Sequence, residues 1–369
     1  MSNTWGETAS LTIFGESHGP CIGAVLDGIP AGVSLDWQAV SQEMRRRAPG
    51  RNELSTKRRE HDVFSVESGF FNGFTTGTPL CVRIANEDQR AEDYARLRHI
   101  MRPGHADYSG NVRYGGYNDY RGGGHFSGRL TAPLVFAGAV AKQILALDRI
   151  AIGAHILQLG NICDRRFCSL GKDKALFGRL SQNALAVLDP TKEEEMEKAI
   201  LQAKRDGDSV GGIVECMITG LPAGMGDPFF DSVESKLSHM IFAIPAVKGV
   251  SFGDGFALAA MTGLEGNDSF YYDDGGRVRT RTNHNGGING GITNGMPVLF
   301  QAVIKGTPSI AKEQDTIDRS SGTNCKLSVP GRHDPAIVQR ALPAVEAAAA
   351  WTVLDIMLTA KSGRPYDGK

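Results

Sequence analysis

The chain has 369 residues, of which 41% are hydrophobic, a mean hydropathy of -0.21 and a formal net charge of -1. These totals fit a globular protein with a sizeable core and exclude a whole-molecule attraction to nucleic acid or to an anionic membrane. No apolar run reads as long enough to span a bilayer, and Met1-Ser2-Asn3-Thr4-Trp5-Gly6-Glu7 lacks the charged and apolar regions of a signal peptide. The six cysteines, at 21, 81, 163, 168, 216 and 325, form no CxxC and read as free thiols in a reducing cytoplasm.

In chain order, Leu11–Phe14 and Cys21–Leu26 read as strands flanking the tight connection Gly15-Glu16-Ser17-His18-Gly19. A carboxylate, a hydroxyl and an imidazole at such a turn are positioned by the strands. The turn can present them to a ligand or use them to satisfy its own backbone. Asp27-Gly28-Ile29-Pro30 is a turn signal, and a helix is predicted from Leu35 to about Arg47 with Trp37, Val40 and Met44 on one face. Between Arg45 and Arg59 lie seven basic residues (Arg45, Arg46, Arg47, Arg51, Lys57, Arg58, Arg59) against one acid, Glu53, a concentration expected of a local anion site.

Leu80–Ile84 reads as a strand, and Asp93–Met101 as a helix stopped by Arg102-Pro103-Gly104. The segment Arg121-Gly122-Gly123-Gly124-His125-Phe126-Ser127-Gly128-Arg129 then feeds a helical pattern with Leu130, Leu134, Gly138, Ala141 and Leu145 on one side. A glycine-rich loop at a helix start can cradle an anion, although this one is neither a P-loop nor a GxGxxG fingerprint.

Further along, Ile150–Asn161 and 210–218 are predicted strands. A helix capped by Thr191 and Glu194 runs to about Gly207, and one capped near Asp231 buries Leu237, Ile241 and Ile244. Strand-like runs recur at 256–262 and 297–304. Asp334-Pro335 fits N-cap and first helical position, and Ala344–Ala360 is an apolar helix. Strands and helices alternate without a regular βαβ period and without a linker or repeat. The expectation is therefore an α+β fold with antiparallel sheets, in one domain over 1–369.

Three histidines sit in loops: His18, His105 after Arg102-Pro103-Gly104, and His333 in Gly331-Arg332-His333-Asp334-Pro335. Imidazoles titrate near neutrality and serve as general acids or bases, and no metal spacing accompanies them. Arg102, Arg121, Arg129 and Arg332 each adjoin a glycine or proline turn, and guanidinium forks suit carboxylate and phosphate. Asn283-His284-Asn285-Gly286-Gly287-Ile288-Asn289-Gly290-Gly291-Ile292 can lie against a flat ring or simply make turns. Residue by residue, this predicts an enzyme for a small polyanion using histidine acid–base chemistry. The competing reading is an RNA-binding protein built on the 45–59 patch, against which stand the neutral total charge and the absence of interleaved aromatics.

Together these blocks resemble the chorismate synthase family: Gly15–Gly19 with Leu26–Pro30, Gly123–Arg129, Gly331–Pro335 through Glu346, Arg102–Asp107, and Asn283–Ile288, in order across nearly the whole chain. The resemblance implies a sandwich of helices between antiparallel sheets and a homotetramer. It implies a lyase carrying out 1,4-anti-elimination of phosphate from 5-enolpyruvylshikimate 3-phosphate, to give chorismate for aromatic amino acid biosynthesis. It also implies reduced FMN without net redox change. By the same resemblance, His18 protonates the leaving phosphate, His105 lies by the flavin, and Asp334 assists removal of the C6 proton, with Ser17 and Ser127 in a relay. Arg47, Arg51, Arg102 and Arg129 hold substrate anions or NADP. Flavin contacts come from His125, Phe126, Ser127, Pro245, Ala246, Gly290, Lys305, Gly306, Thr307, Pro308, Ser309 and Arg332.

Two departures stand out. Many relatives carry Arg-Ser where this chain has His125-Phe126, and a basic residue where it has Glu53. The compact length resembles monofunctional members, so reduced flavin is expected from an external reductase, with NADPH at most an indirect reductant. Glu16 either positions His18 or braces the turn.

Overall fold

A computed structural model describes residues 3–50, 53–56, 60–87, 98–167, 174–329 and 333–362, with backbone alone at 174, 361 and 362. Arg51, Lys57, Arg58, Arg59, Cys168, Arg332 and the 93–97 part of the predicted 93–101 helix lie outside the described residues.

Two five-stranded antiparallel sheets carry the fold. The first is ordered Thr4–Trp5, Ser10–Gly15, Cys21–Asp27, Leu80–Ala85, Phe64–Ser68. Its pleat puts alternate side chains on one face, and the register opposes Ile22 to Ile84, Ala24 to Val82 and Leu26 to Leu80, all buried. The second is ordered Val247–Phe252, Val298–Ile304, Gly212–Thr219, Ala151–Leu159, Ile162–Cys163. Its central strand is buried on both faces, with Val214, Cys216 and Ile218 on one side and Glu215 and Met217 on the other. That double burial explains why it reads as an almost continuous apolar run.

Helices Thr131–Leu147 and Val338–Ser362 pack against each other between the sheets, the former against Cys21–Asp27 and the latter against Ala151–Leu159 and Gly212–Thr219. Core residues of both sheets and both helices join in one hydrophobic cluster. The helices touch at Gly138, where a Cβ would lie 2.2 Å from both Cα and Cβ of Ala347. Helix Trp37–Arg47, capped by Asp36, flanks this pair, and Val233–Phe242 covers the C-terminal helix from the other side. By length and composition alone Gly128–Leu147 and Val338–Ala360 could cross a membrane, contrary to the sequence reading, but both are mostly buried within the protein. They are apolar because both sheets press on them.

Several predicted boundaries move. The N-caps near 191 and 231 are Asp189, with Pro190 in the first turn, and Ser232. Residues 256–262 form no strand: Gly253 and Gly255, at φ 56° and 54°, turn the chain out of the sheet after Phe252 into a short 3-10 segment. Residues 98–101 are not helical, since Ile100 bridges Asp318 and Met101 N donates to the Ile317 carbonyl. Asp334 caps no helix, because the last helix starts at Val338.

Candidate active site

The loops at one edge of the sandwich enclose a cavity of about 1310 Å³. Its wall includes His18, His105, His125, Phe126, Ser127, Arg102, Arg129, Pro245, Ala246, Lys305, Thr307, Pro308, Ser309, His333 and Asp334. Six separate stretches of sequence therefore meet on one surface. The volume exceeds the 300–1,000 Å³ of ordinary small-ligand pockets.

The opening turn docks onto the glycine loop. Ser17 N donates to the Gly124 carbonyl at 3.1 Å, and the His125 ring nitrogen Nδ1 lies 2.8 Å from the Gly15 carbonyl oxygen. Gly122 and Gly123, at φ 59° and 85°, pass between two histidines. A Cβ on Gly122 would sit 2.2 Å from His18 Cε1 and Nδ1, and one on Gly123 would sit 3.0 Å from His105 Cε1. No other residue allows both imidazoles to lie against this backbone. Ser17 stands behind the wall, with its Oγ buried and unpartnered among the described residues. Ser127 caps the short turn Gly128–Leu130, its Oγ accepting from Arg129 N at 3.3 Å. Phe126 packs against the helix Asp107–Arg113, edge to Gly110.

The Glu16 side chain lies beside Gly19, and its carbonyl accepts from Gly19 N at 3.1 Å and from Asn86 Nδ2 at 2.9 Å. That backbone bracing is the role the structure gives this residue's position.

The arginines divide. Arg102 reaches the cavity while forked onto Asp107, with Nε–Oδ2 2.7 Å and Nη2–Oδ1 2.8 Å. Arg129 also lines it, bonded to Asp62, to Glu60 at 2.7 Å and to Asn86 Oδ1 at 3.1 Å. Arg47, expected at the substrate, is fully buried off the wall. Its Nε and Nη2 donate to Asp62 Oδ2 at 2.9 and 2.5 Å. Burial pulls Arg47 down to about 10 despite the adjoining carboxylate, and burial of Asp62 is outweighed by Arg47 and Arg129, which keep its carboxyl below the usual range. Arg46 is likewise consumed, by Glu43 and Glu346. Two members of the 45–59 cluster are thus interior ion pairs, which removes them from any surface patch for RNA.

The far wall begins at the strand end Val298–Ile304. Lys305 Nζ donates to the Gly104 carbonyl, tying the His105 turn to this strand, and Lys305 N donates to the Ala246 carbonyl at 3.0 Å. Ala246 has φ 75°, a left-handed conformation costing roughly 1–3 kcal/mol outside glycine and concentrated at functional sites. Thr307 Oγ1 is buried on this wall without a partner among the described residues. Gly306 lies behind it, against Ser209, and Gly290 is exposed at a hairpin turn away from the cavity.

At the third side, Asp334 Oδ1 accepts from Thr56 N at 3.0 Å, and Oδ2 accepts from Arg340 Nη1. His333 beside it is pushed toward the neutral form by burial and by the Arg102 charge. The wall also holds Thr56, Glu60, His239, Lys248 and Arg340, none of which the sequence reading selected. Arg340 lies six residues beyond Asp334 in the chain, a spacing with no motif; only the turn before the last helix brings the two together.

The architecture and the pocket define an α+β enzyme that gathers imidazoles, carboxylates and cations around one cavity. The family model described as chorismate synthase matches residues 9–358. A chorismate synthase of Dehalococcoides mccartyi is 43% identical over 360 residues, covering 98% of each chain. One of Korarchaeum cryptofilum is also 43% identical, covering 97% of this chain and 98% of its own. A crystal structure of a chorismate synthase superposes with a TM-score of 0.76 at 26% identity, covering 97% of this chain and 94% of that one. The chain belongs to the chorismate synthase family.

Proposed function

We propose that the protein carries out the 1,4-anti-elimination of phosphate from 5-enolpyruvylshikimate 3-phosphate to chorismate, with reduced FMN as cofactor. The observation that carries this reading is the meeting of His18, His105, Arg102, Arg129 and Asp334 on one cavity. The substrate bears two carboxylates and a phosphate. Arg102, Arg129 and Lys305 supply the opposing charge. His18, pressed against Gly122, gives a proton to the departing phosphate oxygen as the C–O bond breaks. Asp334, steadied by Thr56 and Arg340, serves the loss of the C6 proton, and the electrons of that C–H bond complete the new double bond. Ser127 lines the cavity at the turn that carries Arg129, and Ser17 lies behind the wall in the turn that carries His18.

The residues present fit a flavin phosphate. The buried unpartnered Thr307 hydroxyl, Ser309 and Lys305 offer donors along one wall, Pro245-Ala246 and Phe126 offer apolar contact, and the cavity has room for two ligands. When bound, reduced FMN supplies a reversible source of electron density, which accounts for a reaction with no net redox change. Thr307, Ser309, Lys305, Pro245, Ala246, His125 and Phe126 are the residues that would hold it.

We expect phosphate release under anaerobic conditions with reduced FMN, and none above background with oxidised FMN. His18→Ala and His105→Ala should each lower turnover by roughly 10²-fold or more, the scale for losing a general acid or base. Equal rates with oxidised FMN would sink the cofactor reading. Turnover sustained by NADPH alone would replace the monofunctional reading by one with intrinsic flavin reductase activity.

The same reading includes a cytoplasmic homotetramer. The five described cysteines are free thiols, which suits a reducing compartment. Phe229, Phe230, Phe256, Leu264 and Tyr272 are exposed large apolar side chains of the kind interfaces cover. Sedimentation at micromolar concentration should give four times the 39.6 kDa chain mass; a monomer would refute it.

A further inference from the structure

Asp107 closes the turn Arg102-Pro103-Gly104-His105-Ala106-Asp107 and opens the short helix Asp107–Arg113. Its carboxylate touches two site residues at once. Oδ2 accepts from Arg102 Nε at 2.7 Å and from Arg102 N at 3.1 Å. Oδ1 accepts from Arg102 Nη2 at 2.8 Å and lies 2.7 Å from His105 Nδ1. Burial alone would raise the Asp107 carboxyl, but the hydrogen bonds from Arg102 and His105 outweigh it and hold the group below the ordinary carboxylate range.

An ionised carboxylate only accepts, so the 2.7 Å contact requires a hydrogen on His105 Nδ1. The Arg102 Nη2 atom, 3.3 Å from the same nitrogen, is itself a donor and cannot supply the alternative bond once that hydrogen is in place. The tautomer is therefore assigned from the network. It leaves Nε2 as the nitrogen without a proton in the neutral ring, on the edge that meets Gly123, where a Cβ would sit 3.1 Å from it.

We propose that Asp107 is a positioning residue: it holds His105 with the proton on Nδ1 and presents a bare Nε2 along the cavity wall. The proposal rests on the reading of His105 as a proton-handling group in the elimination. An aspartate that fixes a histidine tautomer in this way is worth about 10⁴ in kcat in the serine-protease triad, and outer partners of functional histidines at metal sites are commonly worth 10- to 100-fold.

The test is a two-background comparison of phosphate release with reduced FMN. Asp107→Asn in the otherwise unaltered protein should lower kcat about 10- to 100-fold with KM within about threefold. In a His105→Gln background, adding Asp107→Asn should cost less than about twofold, because the group it acts through is gone. Equal losses in both backgrounds overturn the proposal, as does a raised KM with unchanged kcat, which would place the effect on Arg102 alone. Should Asp107→Asn fail to fold, Asp107→Glu carries the same comparison. A kcat loss confined to the background that retains His105 supports the proposal, and an equal loss overturns it. If the unaltered protein releases no phosphate, the functional reading fails. The Asp107 assignment is then decided by ¹⁵N shifts of histidine-labelled protein, with the His105 signals identified by their absence in His105→Gln. A protonated Nδ1 that is lost in Asp107→Asn supports it, and a bare Nδ1 overturns it.

Discussion

Gly122 has no side chain and still decides where a catalytic candidate lies. A methyl group there would overlap the His18 ring at 2.2 Å, and its φ of 59° already disfavours any other residue. We expect Gly122→Ala to keep the fold but lower turnover about 10²-fold, the usual consequence of moving a reacting group by about 1 Å. Circular dichroism alongside phosphate release checks both halves, and full activity would show that His18 need not sit against this backbone. At this scale the sequence was informative where residue type and chain position coincide. His18 and His105 are histidines in glycine turns, and both face the cavity. The Arg47–Asp62 pair was invisible because a guanidinium looks the same in sequence whether it meets a ligand or a buried carboxylate, and Asp62 carries no motif of its own. Arg340 could not be weighed without knowing that Asp334 packs beside it.

Among the elements, the two central helices show what periodicity can and cannot tell. The apolar face through Leu130, Leu134, Gly138, Ala141 and Leu145 is visible in the sequence, but its partner is not. Gly138 meets Ala347 so closely that an added Cβ would lie 2.2 Å from backbone. In an unpacked helix Gly→Ala stabilises by roughly 0.5–1 kcal/mol. Here we expect the opposite sign, a loss of about 1–3 kcal/mol from overpacking, read as a lower urea midpoint at unchanged m. Stabilisation would mean the helices are not in contact at this point. Caps were harder to place, because Asp189 and Thr191, or Asp231 and Ser232, are equally good side-chain acceptors for the free N–H groups of a helix start, and only the geometry selects one. The 256–262 run misled because apolar composition does not say whether a segment faces the core, and Phe256 is 90% exposed.

Taken whole, the α+β class with antiparallel sheets was legible from hairpin turns outnumbering crossovers, and the layering entered only through family resemblance. What no local pattern showed is how much charge the interior holds. Glu346 is buried between the sheets with Arg46 and Lys142 at 2.7 and 2.5 Å. Burial would raise its carboxyl, yet these cations hold it at about 2. A depressed folded-state carboxyl adds stability that is complete above its unfolded value, about 4.3, and is lost as pH falls toward 2. His155 behaves oppositely. Burial lowers it, but Asp164 at 3.2 Å and Glu215 at 3.0 Å outweigh that and raise it. Its contribution is present below the unfolded value of about 6.5 and is lost as pH rises through the raised folded one. Stability against urea should therefore fall on both sides of a mildly acidic maximum. Glu346→Gln should flatten the acid limb and cost about 3–5 kcal/mol at neutral pH by leaving two buried cations short of a partner. An unchanged acid limb in that variant would assign the acid transition to other groups.

The run Gly122-Gly123 separates two imidazoles with main chain alone. Side chains around a pocket can be exchanged, repacked or recharged, and a homologue can retune the site's charge through them. A spacer made of peptide units has no such freedom, since substitution at either glycine would add bulk and neither has bulk to remove. The interval between the two imidazoles is consequently a fixed dimension of the fold, open to revision only by inserting or deleting residues in that loop.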